Sequence, residues 1–234
     1  MRFQHAGEIW RDFPELVAGV AVAEGITDDA AVGDRVAKFS DIASTRLAAG
    51  PESELPEIRA WRRGFARMGL KPTQYRCASE SLLRRFRKEG MLPQVHPLVD
   101  VCNAVSLAFA IPVAVFDVAK VTGDLEVRYA AGDEEYLTFS GETEHPSPHE
   151  VIFADQARRV HARRWTNRQS GLSAVQPSSA AVLIVAEALH DSAPSDVPRL
   201  IADIAGELMA VWSTTPATAV LTRDSPRFSV TPSP

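Results

Sequence analysis

The chain has 234 residues, 45% of them apolar, and a formal net charge of −5, enough for one large domain or one domain with an extra lobe. It holds no apolar run of membrane-spanning length, and its opening residues MRFQHAGEIW lack the apolar stretch and cleavage site of a secretory leader. The expected protein therefore neither spans a membrane nor is secreted, and its expected location is the cytoplasm.

Two cysteines, Cys77 and Cys102, are too few for a disulfide framework and lack zinc-site spacing, so both read as small buried residues. Net acidity argues against a nucleic-acid partner, but the charge is uneven. Between positions 59 and 88 stand Arg59, Arg62, Arg63, Arg67, Lys71, Arg76, Arg84, Arg85, Arg87 and Lys88, opposed within that span only by Glu80. A second basic cluster holds Arg158, Arg159, Arg163, Arg164 and Arg168. Such clusters fit either a phosphate-facing surface or solvated helix faces paired to acids elsewhere.

In chain order, LVAGVAVAEGI (16–26) mixes Val and Ile with small residues before a turn-prone stretch, which predicts a buried strand. Val32, Val36, Phe39, Ile42 and Leu47 predict a helix over 30–49, ended by Gly50-Pro51. A second helix over 54–68 places Leu55, Ile58, Phe65 and Met68 on one side and arginines on the other. Ser79 is the expected N-cap of a short helix over 80–88, with Glu80 at its positive end and Gly90 closing it. After Pro97 a helix shares Leu98, Val101, Cys102, Val105 and Phe109 on an apolar face. Asp100, Asn103 and Ser106, spaced by three, are expected to converge beside it. Polar groups in so apolar a segment need partners or a job.

Short strands are predicted at 112–116, 124–130, 135–139, 151–154, 159–165 and 181–188, separated by Gly, Pro and Asp turns. Val197, Leu200, Ile201, Ile204, Leu208 and Trp212 predict an amphipathic helix, followed by a strand at 218–222 and a disordered-looking end, SPRFSVTPSP. The expected fold is α+β, a single domain whose mixed or antiparallel sheet is flanked by helices. Its parts are an N-terminal strand and helix (1–55), a core (56–190) and a C-terminal helix, strand and tail (191–234).

No G-x-S-x-G elbow, P-loop or dinucleotide glycine pattern occurs. His145 and His149 lie among Glu142, Glu144 and Glu150, but prolines and turn-formers interrupt the segment, so no metal is expected there. His96, beside an apolar helix, is a candidate base whose plainer role is structural. RRWTNRQS (163–170) gathers Trp165, Asn167, Arg168 and Gln169, a mixture suited to a planar or charged ligand, or equally a tryptophan plugging the core beside a surface arginine. From these residues alone the chain is a binding or hydrolytic α+β domain.

The ordered set of segments is more specific. SESLLRRFRKEGMLPQVHPLVDVCNAVSLAFAIPVAVFD, then GDLEVRYAAGDEEY, then HPSPHEVIFADQARRVHARRWTNRQS resembles the B3/B4 domain that edits aminoacyl-tRNA within the β subunit of bacterial phenylalanyl-tRNA synthetase. The likeness is greatest to freestanding B3/B4 proteins and covers about residues 56–190. Its carriers are Arg84, Arg85, Gly90, Pro93, Val99 to Val101 with Asn103, Pro112, Phe116, Asp117 and Val127 to Ala130.

This resemblance implies hydrolysis, in trans, of the ester joining a wrong amino acid to tRNA, with canavanyl-tRNA for arginine as the leading substrate. It implies no cofactor, no metal and no DNA. Asn103 matches the asparagine lining the family pocket and is the expected catalytic residue. Ser79, Glu80, Asp100, Ser106, Ala114, Asp117, Trp165, Asn167, Arg168 and Gln169 are expected to contact substrate, with Asp100 and Asp117 alternatively anchoring the helix and the strand. Arg62, Arg63, Arg84 and Arg85 are expected to contact tRNA. Asp100, Asp117, Glu80 and Glu150 are the acids considered for a cationic side chain. Ala114 stands where the synthetase pattern has histidine, which implies a changed amino-acid specificity. The competing expectation is a tRNA- or amino-acid-binding module without catalysis.

Overall fold

A computed structural model describes residues 1–229. The chain opens with β1 (Arg2–His5), α1 (Gly7–Asp12), β2 (Val17–Glu24), α2 (Gly33–Ala48), α3 (Pro56–Arg67), α4 (Ala78–Glu89) and α5 (Pro97–Phe109). Seven short strands follow: β3 (Val113–Asp117), β4 (Leu125–Tyr129), β5 (Glu135–Leu137), β6 (Thr143–Glu144), β7 (Val151–Asp155), β8 (Arg159–Arg163) and β9 (Arg168–Gln169). The described chain ends with β10 (Ala181–Ala188), α6 (Ala193–Trp212), β11 (Ala217–Leu221) and β12 (Arg227–Ser229).

The strands form two sheets. The larger is mixed, in the order β12-β1-β4-β7-β8-β5-β6, with β9 on β8; the smaller is β11-β2-β10-β3. Every pairing in the smaller sheet is antiparallel. The nearly unbroken apolar runs of β2 and β10 follow from burial on both faces. With a side-chain period of two, Val20, Val22, Leu183 and Val185 enter a core with Trp61, Phe65, Phe153 and Trp165. Their alternates Ala21, Val182 and Ile184 pack with Val101 and Val105 of α5 and Val197 and Ile201 of α6. Register therefore decides which residues face the larger sheet: Ala114 of β3 sits opposite Val185, and Glu187 follows Val185 on the same face.

Several boundaries differ from the sequence reading. Ser79 does not cap α4: the N-cap is Cys77, and Ser79 is wholly buried with its hydroxyl 3.3 Å from the Cys77 sulfur. The end expected to be disordered carries a strand, Arg227–Ser229, which pairs antiparallel with β1, and Phe228 packs on the core; residues 230–234 lie outside the described part. The strand expected through Trp165 stops at Arg163, since Arg164 and Trp165 take left-handed φ values of 46° and 57°. Strands β1 and β6 and helix α1 are too short for any periodicity to announce. Among the described residues no helix is long and apolar enough to cross a membrane.

Candidate functional site

Where the sheets face each other, Ala114, Val185 and Glu187 of the smaller sheet and Phe153 and Ala162 of the larger one line a cavity of about 60 Å³. On this measure it has room for about four waters. Its wall is the 165–169 turn, contributing Trp165, Asn167, Arg168 and Gln169, with Ala78 beside it. The bond from the Ala78 N–H to the Thr166 carbonyl, 2.7 Å, ties the start of α4 to that turn.

Glu187 is only 2% exposed. Its Oε1 accepts from the Trp165 indole at 2.8 Å and lies 2.6 Å from His5 Nε2, while its backbone carbonyl accepts from the Trp61 indole at 3.3 Å. The left-handed pair Arg164 and Trp165 swings the indole inward, edge-on to Trp61 and Phe13 at 5.0 and 4.7 Å. A buried carboxyl in an apolar cavity is costly unless bonded, and the indole and imidazole supply the bonds. Gln169 Nε2 donates to the Val115 carbonyl at 2.7 Å and Asn167 Nδ2 to the Arg76 carbonyl at 2.7 Å, pinning the turn to β3 and to the segment before α4. Arg168 lies over the Tyr136 ring and pairs with Glu144 at 3.0 Å.

A groove of about 250 Å³ adjoins this cavity and shares Val113 and Gln169 with it; Asn103, His96 and Phe139 line it. Asn103 is half-buried and also faces a larger groove of about 670 Å³ between α2, α5 and the loop that joins α4 to α5. His96 is the N-cap of α5, its Nδ1 accepting from the Leu98 N–H at 3.2 Å.

The structure thus gathers Ala114, Trp165, Asn167, Arg168 and Gln169 around one cavity, with Asn103 in the adjoining groove. The expected convergence of Asp100, Asn103 and Ser106 does not occur. The Asp100 carboxyl accepts from the Val95 N–H at 2.9 Å and lines the larger groove. Ser106 is wholly buried and donates to the Ile111 carbonyl at 2.6 Å, holding the left-handed end of α5 at Ala110. Asp117 is buried too, accepting from Ser179 at 2.7 Å and the Ala119 N–H at 2.9 Å. Glu80 is wholly buried between Arg62 and Arg76, and neither it nor Ser79 lines the cavity. Glu150 is held well below the usual carboxylate range: burial pushes it up, but the bonds from Arg163 outweigh that. Glu187, not singled out from the sequence, had one signal there, a lone acid within AVLIVAEA.

Much of the basic charge is already paired. Arg62 binds Glu80, Arg84 and Arg87 bind Glu52, and Arg85 binds Glu89. Of the four arginines expected to contact tRNA, Arg63 alone has no carboxylate partner among the described residues; it is exposed on α3, one turn from exposed Arg59. In the second cluster Arg158, Arg159, Arg163 and Arg168 pair with Asp133, Asp155, Glu150 and Glu144. His145 donates Nδ1–H to the Glu134 carbonyl at 2.8 Å. Metal-ligand atoms converge elsewhere, within 4.8 Å at Glu57, His190 and Asp196. Arg46 already binds Glu57, and Ser192 binds Asp196, as parts of an internal network.

A family profile described as the B3/4 domain matches residues 60–196. The chain belongs to the B3/4 domain family. Its matched stretch holds α4, α5, the cavity and the adjoining groove. Among curated relatives, the phenylalanine–tRNA ligase β subunit of Cereibacter sphaeroides is 38% identical over 94 residues, covering 40% of this chain and 12% of that protein. That of Haemophilus influenzae is 37% identical over 87 residues, covering 37% and 11%. The chain thus matches about a tenth of the length of these relatives. An N-terminal fragment of the phenylalanyl-tRNA synthetase β subunit from Pyrococcus horikoshii aligns with a TM-score of 0.44 and 8% identity, over 92% of this chain and 49% of that one.

Proposed function

We propose that this B3/4 protein hydrolyses the ester of a mischarged aminoacyl-tRNA in trans, and that the amino acid it removes carries a cationic or donor-rich side chain such as that of canavanine. The observation that carries the specificity is Glu187, the cavity's buried carboxyl, bonded at Oε1 and lying beside Ala114, Val185 and Phe153. Ala114, where the related synthetase pattern carries histidine, leaves space in front of it. A guanidinium-like head facing Glu187 would gain a charge-assisted hydrogen bond in a water-poor site.

An aminoacyl ester is already activated, so the site needs to hold the amino acid, position one water and stabilise the oxyanion, without a strong nucleophile. With the side chain toward Glu187, the ester falls near Val113 and Gln169, where cavity meets groove, and Asn103 faces the tRNA side of that junction. There its amide is suited to polarise the ester or hold the water, while the hydroxyl beside the ester and backbone carbonyls orient it.

A binding module without catalysis is the second reading, favoured because the cavity's single ionisable acid, Glu187, is committed to His5 and Trp165. Deacylation of a panel of misacylated tRNAs separates the two. Faster release of canavanine than of phenylalanine or tyrosine is the expected result; release no faster than spontaneous hydrolysis across the panel sinks the enzyme. Asn103→Ala should lower turnover with the fold intact by circular dichroism.

A further inference from the structure

We propose that the groove beside the cavity seats the terminal nucleobase of the aminoacyl-tRNA, with Phe139 as its stacking platform; this rests on the deacylase reading and adds the second half of the substrate to it. Phe139 is 73% exposed, in the turn after β5, and Val95 across the groove is 70% exposed. Aromatic exposure of that extent is unfavourable in water, yet the turn is tightly framed. Thr138 N–H donates to the Glu142 carbonyl at 2.8 Å, Thr138 Oγ1 accepts from the Glu142 N–H at 2.9 Å, and Gly171 N–H donates to the Leu137 carbonyl at 3.0 Å. A Cβ on Gly171 would sit 2.9 Å from the Thr138 carbonyl oxygen and 3.4 Å from the Phe139 Cα, so the two backbone segments meet at the base of Phe139. The ring is therefore displayed by a braced loop.

One residue lining the groove also carries an unpartnered buried polar atom. His96 is 4% exposed; its Nδ1 caps α5, and its Nε2 has no partner. Burial keeps the imidazole pKa below its usual value, although Asp28 and Asp100 oppose this. A neutral ring that accepts at Nδ1 carries its proton on Nε2, a buried donor without an acceptor, which is costly until something supplies one. An apolar trough with an exposed ring suits a purine, whose face stacks. Connectivity fixes the direction: an ester at Val113 and Gln169 with its side chain at Glu187 must send its ribose and base away from the cavity, along the groove that shares those two residues.

The test uses the full chain and tRNA whose terminal adenine is replaced by a fluorescent purine analogue that is quenched on stacking. Wild type is expected to quench it on binding. Phe139→Ala should abolish the quenching and raise KM for deacylation about tenfold with kcat kept, and Phe139→Trp should restore both. Quenching and KM unchanged in Phe139→Ala, with wild type active, overturn the stacking platform and leave the deacylase standing. Wild type that neither binds tRNA nor accelerates hydrolysis overturns both.

Discussion

On the proposed deacylase reading, specificity turns on Glu187, which brings a carboxyl into a cavity whose two sheet faces otherwise present Ala114, Val185, Phe153 and Ala162. Glu187→Gln keeps an acceptor for the Trp165 indole but removes the charge. It should lower kcat/KM for canavanyl-tRNA by about tenfold to a hundredfold, the worth of a hydrogen bond to a charged group, with little change in Tm. An equal loss for a neutral amino acid would count against the cationic assignment. The 165–169 segment was legible because it is a short, chemically mixed motif, and Ala114 only through the resemblance to the synthetase pattern, since IPVAVFD is otherwise an apolar strand. It hid Glu187 because a single acid within AVLIVAEA is indistinguishable from a polar strand end until the register places it opposite Trp165. The two cysteines were read correctly as buried, and burial pushes their thiols up to about 11 for Cys77 and about 12 for Cys102. Thiol reagents at mildly alkaline pH should leave both unmodified in the native protein and label both in denaturant; labelling of the native chain would show that these helices open readily.

At the scale of elements, the smaller sheet and α6 are held at one close approach. Gly19 in β2 lies against α6, and a Cβ there would sit 2.4 Å from Ile201 Cγ1 and 2.8 Å from Val197 Cγ1. Gly19→Ala should therefore cost about 1–3 kcal/mol by overpacking, read by urea unfolding, with partial recovery when combined with Ile201→Ala. Helical periodicity revealed α2, α3, α5 and α6, which each bury an apolar face, and nearly unbroken apolar runs revealed β2 and β10, which are buried on both faces. The β7–β8 hairpin depends instead on a buried polar anchor. Burial acts to raise the Asp155 pKa, but the His161 imidazole 3.3 Å away and the bonds from the Thr122 and Arg159 N–H groups outweigh it and hold it well below the usual range. A carboxyl depressed in the folded state contributes stability above its unfolded value, about pH 4, and loses it as pH falls through the folded value. Asp155→Asn should cost about 3–5 kcal/mol at neutral pH and flatten the acid limb of the stability profile; an unchanged limb would place the acid sensitivity elsewhere.

At the scale of the whole molecule, the proposed deacylase reading requires a chain of net charge −5 to hold a polyanion. The ten basic residues between 59 and 88 made a nucleic-acid face plausible, but sequence spacing cannot show which of them have acids folded against them. The pairs with Glu80, Glu52 and Glu89 consume Arg62, Arg84, Arg87 and Arg85: Glu52 in residues 52–54 and Glu80 at the start of α4 come beneath the arginines, and Glu89 at the end of α4 lies one turn from Arg85. What remains on α3 is Arg59 and Arg63, four residues apart and so on one exposed ridge. Each phosphate contact releases counterions, and the slope of log affinity against log salt reports their number. Replacing both Arg59 and Arg63 by alanine should flatten that slope by about two and weaken binding of all tRNAs alike. Arg85→Ala should leave the slope nearly unchanged, since in the folded chain its guanidinium is spent on Glu89. The reverse pattern, a flat response to the α3 pair and a steep one to Arg85, would move the tRNA path from α3 to α4 and require the Arg85–Glu89 pair to open on binding.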